Sequence, residues 1–169
     1  MAQKRGTHLE KLLDLTHQLY KNQRRADISK REVKTIFDKK TGAMRYVKKE
    51  GFDYEGCVFG GHSISIEAKE GHERLRIEPN KGSGLKLHQL QALLFRGSLG
   101  GLACVIWMPT PNKTLLLDYT FLKNFHENIY NKATGAGGKP VKSITIKMAE
   151  EDGIQIPCRG LIDYLDHIM

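Results

Sequence analysis

An aspartate placed fourteen positions ahead of a Glu-x-Lys is the arrangement in this chain best suited to chemistry: Asp53, then Glu67 and Lys69. Ile64, Ile66 and Ala68 alternate with Ser65, Glu67 and Lys69. In a strand, that alternation sends the apolar set to a core and puts Glu67 and Lys69 side by side on the opposite face. The interval back to Asp53 is long enough for a strand, a tight Gly60-Gly61 turn and a returning strand, so a hairpin can bring the second carboxylate beside Glu67. The competing reading is a ladder of charges on the solvated face of an antiparallel sheet.

Two carboxylates suit a hard divalent cation. Mg²⁺, with Mn²⁺ as a substitute, takes oxygen ligands, keeps several waters and is commonly bound by one or two carboxylates together with substrate phosphate. Such a cation acidifies a bound water and neutralises charge on a scissile phosphate, and an adjacent lysine can orient or deprotonate that water. Asp53 and Glu67 fit the first role and Lys69 the second, which is the layout of a metal-dependent nuclease.

Charge distribution points to a polyanion. The chain has 169 residues and a formal net charge of +8. Residues 21–49 hold eleven Lys/Arg against three acids, a surplus equal to that whole net charge. A surplus confined to one segment is what phosphate neutralisation requires, the alternative being a solvated basic loop. Cys57, Cys104 and Cys158 are odd in number and lack a Cys-x-x-Cys, which argues against a disulfide framework or a zinc site. The seven histidines show no metal-binding spacing. No apolar run reaches membrane-spanning length and no signal-like core follows the basic N-terminus, so a cytoplasmic protein without membrane association is expected.

The elements that must position these residues follow from periodicity. Thr7 to Gln23 reads as an amphipathic helix opened by a Thr7-His8-Leu9-Glu10 capping box. Ala26 to Val33 reads as extended. Lys34 to Lys49 reads as a projecting basic hairpin turning at Lys40-Thr41-Gly42, with too few apolar residues for a core. After the Asp53 and Glu67 strands, Arg74 to Ile77 extends the sheet. Leu85 to Arg96 is expected as a helix carrying His88, Gln89 and Gln91, and Leu102 to Met108 as a strand buried on both faces. Leu115 to Leu117 precedes a helix from Tyr119 to Lys132. Strands near Ser143–Met148 and Gly153–Ile156 and a short helix from Leu161 complete the expectation: a single α/β domain over residues 1–169, with 34–50 as an inserted basic stalk.

Gly6-x-x-Leu9-Glu10, Tyr20, Ala26, Lys30, Phe52-Asp53-Tyr54-Glu55-Gly56, Ile66-Glu67-Ala68-Lys69-Glu70, His88-Gln89 and Ile162-Asp163-Tyr164 together resemble the RecU family of Holliday-junction resolvases. The short length and compact loops look like a phage-borne member. The resemblance implies a restriction-endonuclease-like PD-(D/E)xK core, a mixed central sheet flanked by helices with a protruding basic stalk, and an Mg²⁺-dependent homodimer. It assigns Asp53 and Glu67 as metal carboxylates, the Ala68 carbonyl as a further metal ligand and Lys69 as the catalytic lysine. Gln89 matches a position on the helix beside the site. Glu10 matches an acid of the N-terminal helix near the metal, the alternative being that it only closes the capping box. Lys30, Arg31, Lys34, Lys39, Lys40, Arg45, Lys48 and Lys49 fall in the strand and stalk that face DNA. Phe37 and Tyr46 either lean on unstacked bases or hold the hairpin together. One departure from the family pattern stands at the stalk base, where Arg31-Glu32-Val33-Lys34 replaces a Thr-Pro-containing stretch.

The expected activity is paired, symmetric nicking of four-way junction DNA, with host recombination or branch-migration proteins as further partners. A restriction or repair nuclease acting on linear duplex shares the chemistry. A junction binder without turnover has no need of Asp53, Glu67 and Lys69 together.

Overall fold

Leu102 to Thr110 places nine successive residues without a charged side chain, and such a strand is stable only with both faces covered. The sheet is built around it. In the computed structural model, which describes residues 7–31, 35–38, 40–46, 51–78, 84–130, 141–158 and 160–169, the chain begins with α1 (Thr7–Asn22), β1 (Ala26–Lys30) and the hairpin β2 (Thr35–Asp38) and β3 (Ala43–Tyr46). Next come β4 (Tyr54–Val58), β5 (Ser63–Glu70), β6 (Arg74–Glu78), β7 (Leu85–Lys86) and α2 (Leu87–Ser98). They are followed by β8 (Leu102–Thr110), β9 (Lys113–Asp118) and α3 (Tyr119–Phe125), which runs into a π-helical turn at His126–Tyr130. β10 (Ser143–Thr145), α4 (Ile146–Asp152), β11 (Ile154–Ile156) and α5 (Leu165–Ile168) close the chain.

The main sheet has the order β1-β4-β5-β8-β9-β11. All its pairs are antiparallel except β5 with β8, which run parallel from Ile64↔Leu102 to Glu70↔Met108. A parallel pair needs a crossover, here supplied by β6, β7 and α2. β6 and β7 belong to a second sheet, β10-β6-β7, while β2 and β3 pair only with each other. Alternate residues of β8 serve opposite clusters: Cys104, Ile106 and Met108 face the one that includes Leu9, Leu13 and Tyr20 of α1. Ala103, Val105 and Trp107 face the other, with Leu90 and Leu93 of α2 and Phe121, Leu122 and Phe125 of α3.

The amphipathic reading of α1 holds, with Leu9, Leu13, Thr16, His17 and Tyr20 buried. The expected Thr7 to Glu10 capping box rests on a Thr7 side chain that lies outside the described ones. Thr7 already lies in the helix, Glu10 pairs with Lys30, and the N–H of Leu9 donates to Glu70 Oε2 at 3.1 Å. A carboxylate at the end of β5 therefore supplies the cap from 61 residues away. At the other end, Tyr20 Oη donates to Asp163 Oδ1 at 2.7 Å and accepts from Tyr164 N at 2.9 Å. Tyr164 Oη lies 2.8 Å from His17 Nε2. The C-terminal segment is thus tied to α1 by buried polar contacts.

Burial pushes the His17 imidazole from 6.5 down to about 4, against a smaller opposing pull from Asp14. The unfolded chain binds the proton that the folded chain refuses, so stability is complete above the unfolded value and falls as pH drops through that window. The loss should approach about 3 kcal/mol, since each pKa unit is worth about 1.4 kcal/mol. Urea unfolding between pH 7 and pH 4 measures it, and His17→Gln should flatten the slope.

Five elements depart from sequence expectation, the first being β6, expected to extend the sheet of the Asp53 and Glu67 strands but paired instead in the second sheet with β7 and β10. Ser143 to Met148 is strand for three residues only, because Thr145 Oγ1 accepts from Met148 N at 3.2 Å and caps α4. Ile144, Ile146 and Met148 alternate, but the cap decides. Leu85 and Lys86 pair with β6 before α2 begins. The helix after Tyr119 loosens into the π turn at His126, and the last short helix starts at Leu165 instead of Leu161.

Candidate active site

The β4–β5 hairpin closes at Phe59 to His62, where Gly60 and Gly61 adopt φ of 91° and 84°, values that favour glycine. Its register, Tyr54↔Ile66, sets Asp53 opposite Glu67. Asp53 N donates to Ile66 O at 2.9 Å, and Asp53 Oδ2 accepts from Ala68 N at 3.1 Å. The aspartate is thereby fixed by backbone on both sides of Glu67.

Glu67 is not on a wet face. β5 is central, α2 covers that side, and the side chain is 1% exposed. Its surroundings decide its state. Lys69 Nζ lies 2.7 Å from Glu67 Oε1, and Gln89 Nε2 donates to the same oxygen at 2.7 Å. Glu67 Oε2 is buried without a hydrogen-bond partner among the described residues. Burial, then the neighbouring Asp53 charge, push its carboxyl up to about 8, and Lys69 opposes them. An orphaned, charge-strained carboxylate beside a second acid is the donor set a divalent cation relieves.

The fit to a hard cation is specific in kind. Among the described residues no cluster of three or more His, Cys, Asp or Glu could hold a metal. A protein share limited to Asp53, Glu67 and a backbone carbonyl such as that of Ala68 suits Mg²⁺, which completes its shell with water and phosphate. Soft or imidazole-seeking metals find no matching set here.

Gln89 is held as well as holding. Lys86 N donates to Gln89 Oε1 at 3.0 Å, which orients the amide so that its NH₂ faces Glu67. The step from β7 into α2 thus fixes the carboxylate, a contact invisible in sequence because Lys86 contributes its backbone. Gln89→Leu should leave Glu67 Oε1 and Lys86 N each short of a partner. It should weaken metal affinity and cleavage about 10–100-fold, read by metal titration of cleavage rate.

Glu10 and Lys30 sit on the other flank. Their side chains pair at 2.8 Å, and Lys30 Nζ lies 5.9 Å from the Tyr54 ring centroid. Partial burial disfavours the Lys30 ammonium, yet Glu10, Asp14 and Asp53 together hold its pKa above the ordinary value. Tyr54 Oη donates to Asp14 Oδ1 at 3.0 Å, adding an acid that sequence reading passed over. Arg31 N donates to Asp53 O at 2.8 Å, while its guanidinium lies 5.0 Å from the Phe52 ring centroid and 3.4 Å from Glu55. Part of the segmental charge surplus is therefore spent internally, since Lys21 and Arg25 also pair with acids. On the hairpin, Phe37 is 57% exposed and Lys40 is exposed. Lys34, Lys39, Lys48 and Lys49 lie outside the described residues, as do the side chains of Arg45 and Tyr46.

A family model described as RecU, recombination protein U, matches residues 4–169. Among curated proteins nothing matches. A solved structure of similar architecture is that of Archaeoglobus fulgidus Hjc, a Holliday junction resolvase from an archaeal hyperthermophile. It superposes with a TM-score of 0.51 at 14% identity, covering 89% of this chain and 95% of that one. At that identity the likeness speaks for the fold alone, a restriction-endonuclease-like core of mixed sheet and flanking helices.

Proposed function

The chain belongs to the RecU family of Holliday-junction resolvases, and from that premise we propose that it nicks two symmetry-related strands of a four-way junction by divalent-metal-assisted hydrolysis, acting as a homodimer. One observation carries the chemistry: Glu67 is buried, clamped through one oxygen by Lys69 and Gln89, unpartnered at the other among the described residues, and set opposite Asp53. A binder has no use for so costly an arrangement.

When bound, Mg²⁺ or Mn²⁺ supplies an acidified water and charge neutralisation at the scissile phosphate. Asp53 and Glu67, with the Ala68 carbonyl, would hold the cation. Gln89 keeps Glu67 aimed and keeps its rotamer fixed. Lys69, only 15% exposed, sits where it can orient or deprotonate the attacking water. Glu10 approaches from α1, and its pairing with Lys30 keeps that lysine beside the aspartate edge of the site. The basic β2–β3 hairpin, within the 34–50 stalk of a single 1–169 domain, is the junction-gripping element. Among the described residues no helix is long and apolar enough to cross a membrane.

The test compares a mobile four-way junction with linear duplex of the same sequence. Mg²⁺ or Mn²⁺ should support cleavage of the junction, and Ca²⁺ should permit binding with little turnover. Activity surviving EDTA overturns the metal mechanism. Equal cleavage of linear duplex makes the protein a general restriction or repair nuclease, and tight junction binding without cleavage makes it a binder.

A further inference from the structure

Resting on the nuclease reading above, we propose that the cleft leading from Lys69 along β6 is a track for the sugar–phosphate backbone flanking the scissile phosphate, with His72, Arg74 and Arg76 as its contacts. The cleft measures about 690 Å³, and its walls include Lys69, Gly71, His72, Arg74, Arg76 and Gly84. It therefore begins at the group assigned to the attacking water and runs away from it.

The pleat of β6 makes the track. Leu75 and Ile77 are each 3% exposed and join the core, so Arg74 and Arg76 share the outer face. Two residues along a strand span about 6.5–7 Å, close to the separation of neighbouring phosphates on one DNA strand. Neither guanidinium has an ion-pair or hydrogen-bond partner among the described residues, unlike Arg25, Lys30 and Lys113. Of the two acids in the cleft, Glu70 is engaged by the α1 N-terminus, and only Glu73 remains exposed.

A second observation is independent of charge. His72 adopts φ of 70°, a left-handed conformation uncommon for a residue with a Cβ. The turn is held in place by β8: Gly71 N donates to Met108 O at 2.8 Å, and Trp107 Nε1 donates to Gly71 O at 3.1 Å. Backbone strain that neighbouring structure enforces is concentrated at functional positions. Here it holds the backbone of His72, an exposed residue of the cleft wall, between Lys69 and the two arginines along the chain.

The experiment uses the Arg74→Gln/Arg76→Gln double variant, its Lys counterpart, His72→Ala, and junctions carrying methylphosphonates at single positions beside the cut. Circular dichroism confirms the fold, since all three residues are exposed. In metal-free binding the double variant should lower the salt-dependence slope by about two, one for each phosphate that an arginine no longer neutralises. Cleavage should fall about tenfold or more, with the Lys counterpart recovering most of the loss and His72→Ala weakening binding to the same flanking position. A neutral phosphate at that position should slow the wild type to the rate of the double variant, and should slow the variant no further. Unchanged slope and rate overturn the track, as does a methylphosphonate that slows the variant by the full factor again. Failure of the wild type to cleave any branched DNA overturns the nuclease reading instead, and the metal-free slopes still decide whether phosphates lie along β6.

Discussion

Asp53→Asn, Glu67→Gln and Lys69→Ala should each cut junction cleavage by about 10²–10⁴-fold, the range for removing a general acid–base or charge-stabilising group, while junction binding stays near wild type. In the proposed mechanism the three serve the reacting phosphate and its water, whereas the grip would be spread over many basic side chains. Cleavage assays at saturating metal, with gel shifts on the same samples, separate the two effects. The structure adds a distinction among the variants. Glu67→Gln removes a carboxyl whose ionised form burial and Asp53 both disfavour, so it should fold at least as firmly as wild type. Lys69→Ala removes the cation 2.7 Å from Glu67, and it should lose about 1–3 kcal/mol of stability in addition to activity. Thermal melts make that contrast visible. Retained cleavage in Asp53→Asn would move the site elsewhere.

Much of this was legible before any coordinates. The Asp53 and Glu67 strands and their glycine turn follow from alternation and spacing, because hairpin register is a local property. The buried run at Leu102 was equally plain. What sequence hid is tertiary. The face holding Glu67 and Lys69 alternates like a solvated one, yet the crossover lays α2 over it and makes Glu67 a buried acid. Likewise Glu70 caps α1 across 61 residues, and no local motif announces it. Lys30 and Arg31 carry charge in a basic segment, but their ion pairs with Glu10 of α1 and Glu55 of β4 depend on which elements become neighbours. Arg74 and Arg76 read as ordinary strand charges until the cleft beside Lys69 is seen.

The largest effect on binding should come from the hairpin. Replacing Lys39, Lys40 and Arg45 with alanine should lower junction affinity by about two to three orders of magnitude near 0.1 M salt. That size follows from leaving about three phosphates without a cation, at roughly 0.9 units of log–log salt slope each. Affinity for linear duplex should fall less, since phosphates converge only at a junction centre. Among the described residues the β2–β3 pair is hydrogen-bonded to neither other sheet, so these changes should leave the core of the domain and its melting temperature intact. Phe37, 57% exposed on that hairpin, offers a further contact: if it stacks on an unpaired base, Phe37→Ala should cost about 1–3 kcal/mol of junction binding. Equal losses on both substrates with an unchanged salt slope would reduce the hairpin to a solvated surface.

The parallel pairing of β5 with β8 has a consequence for the newly made chain. Asp53 and Glu67 meet through a hairpin, which closes a short loop at small entropic cost and can form early. The strand that pairs with β5 on its other side arrives only after the crossover between Gly71 and Gly101 has been synthesised. Gln89, which aims the carboxylate, lies inside that same excursion. Until it closes, Glu67 lacks both the burial and the Gln89 contact that set its state in the folded chain. A polypeptide emerging from the ribosome thus carries the residues of the proposed centre well before they are assembled, and a truncated product ending short of β8 should not cleave DNA.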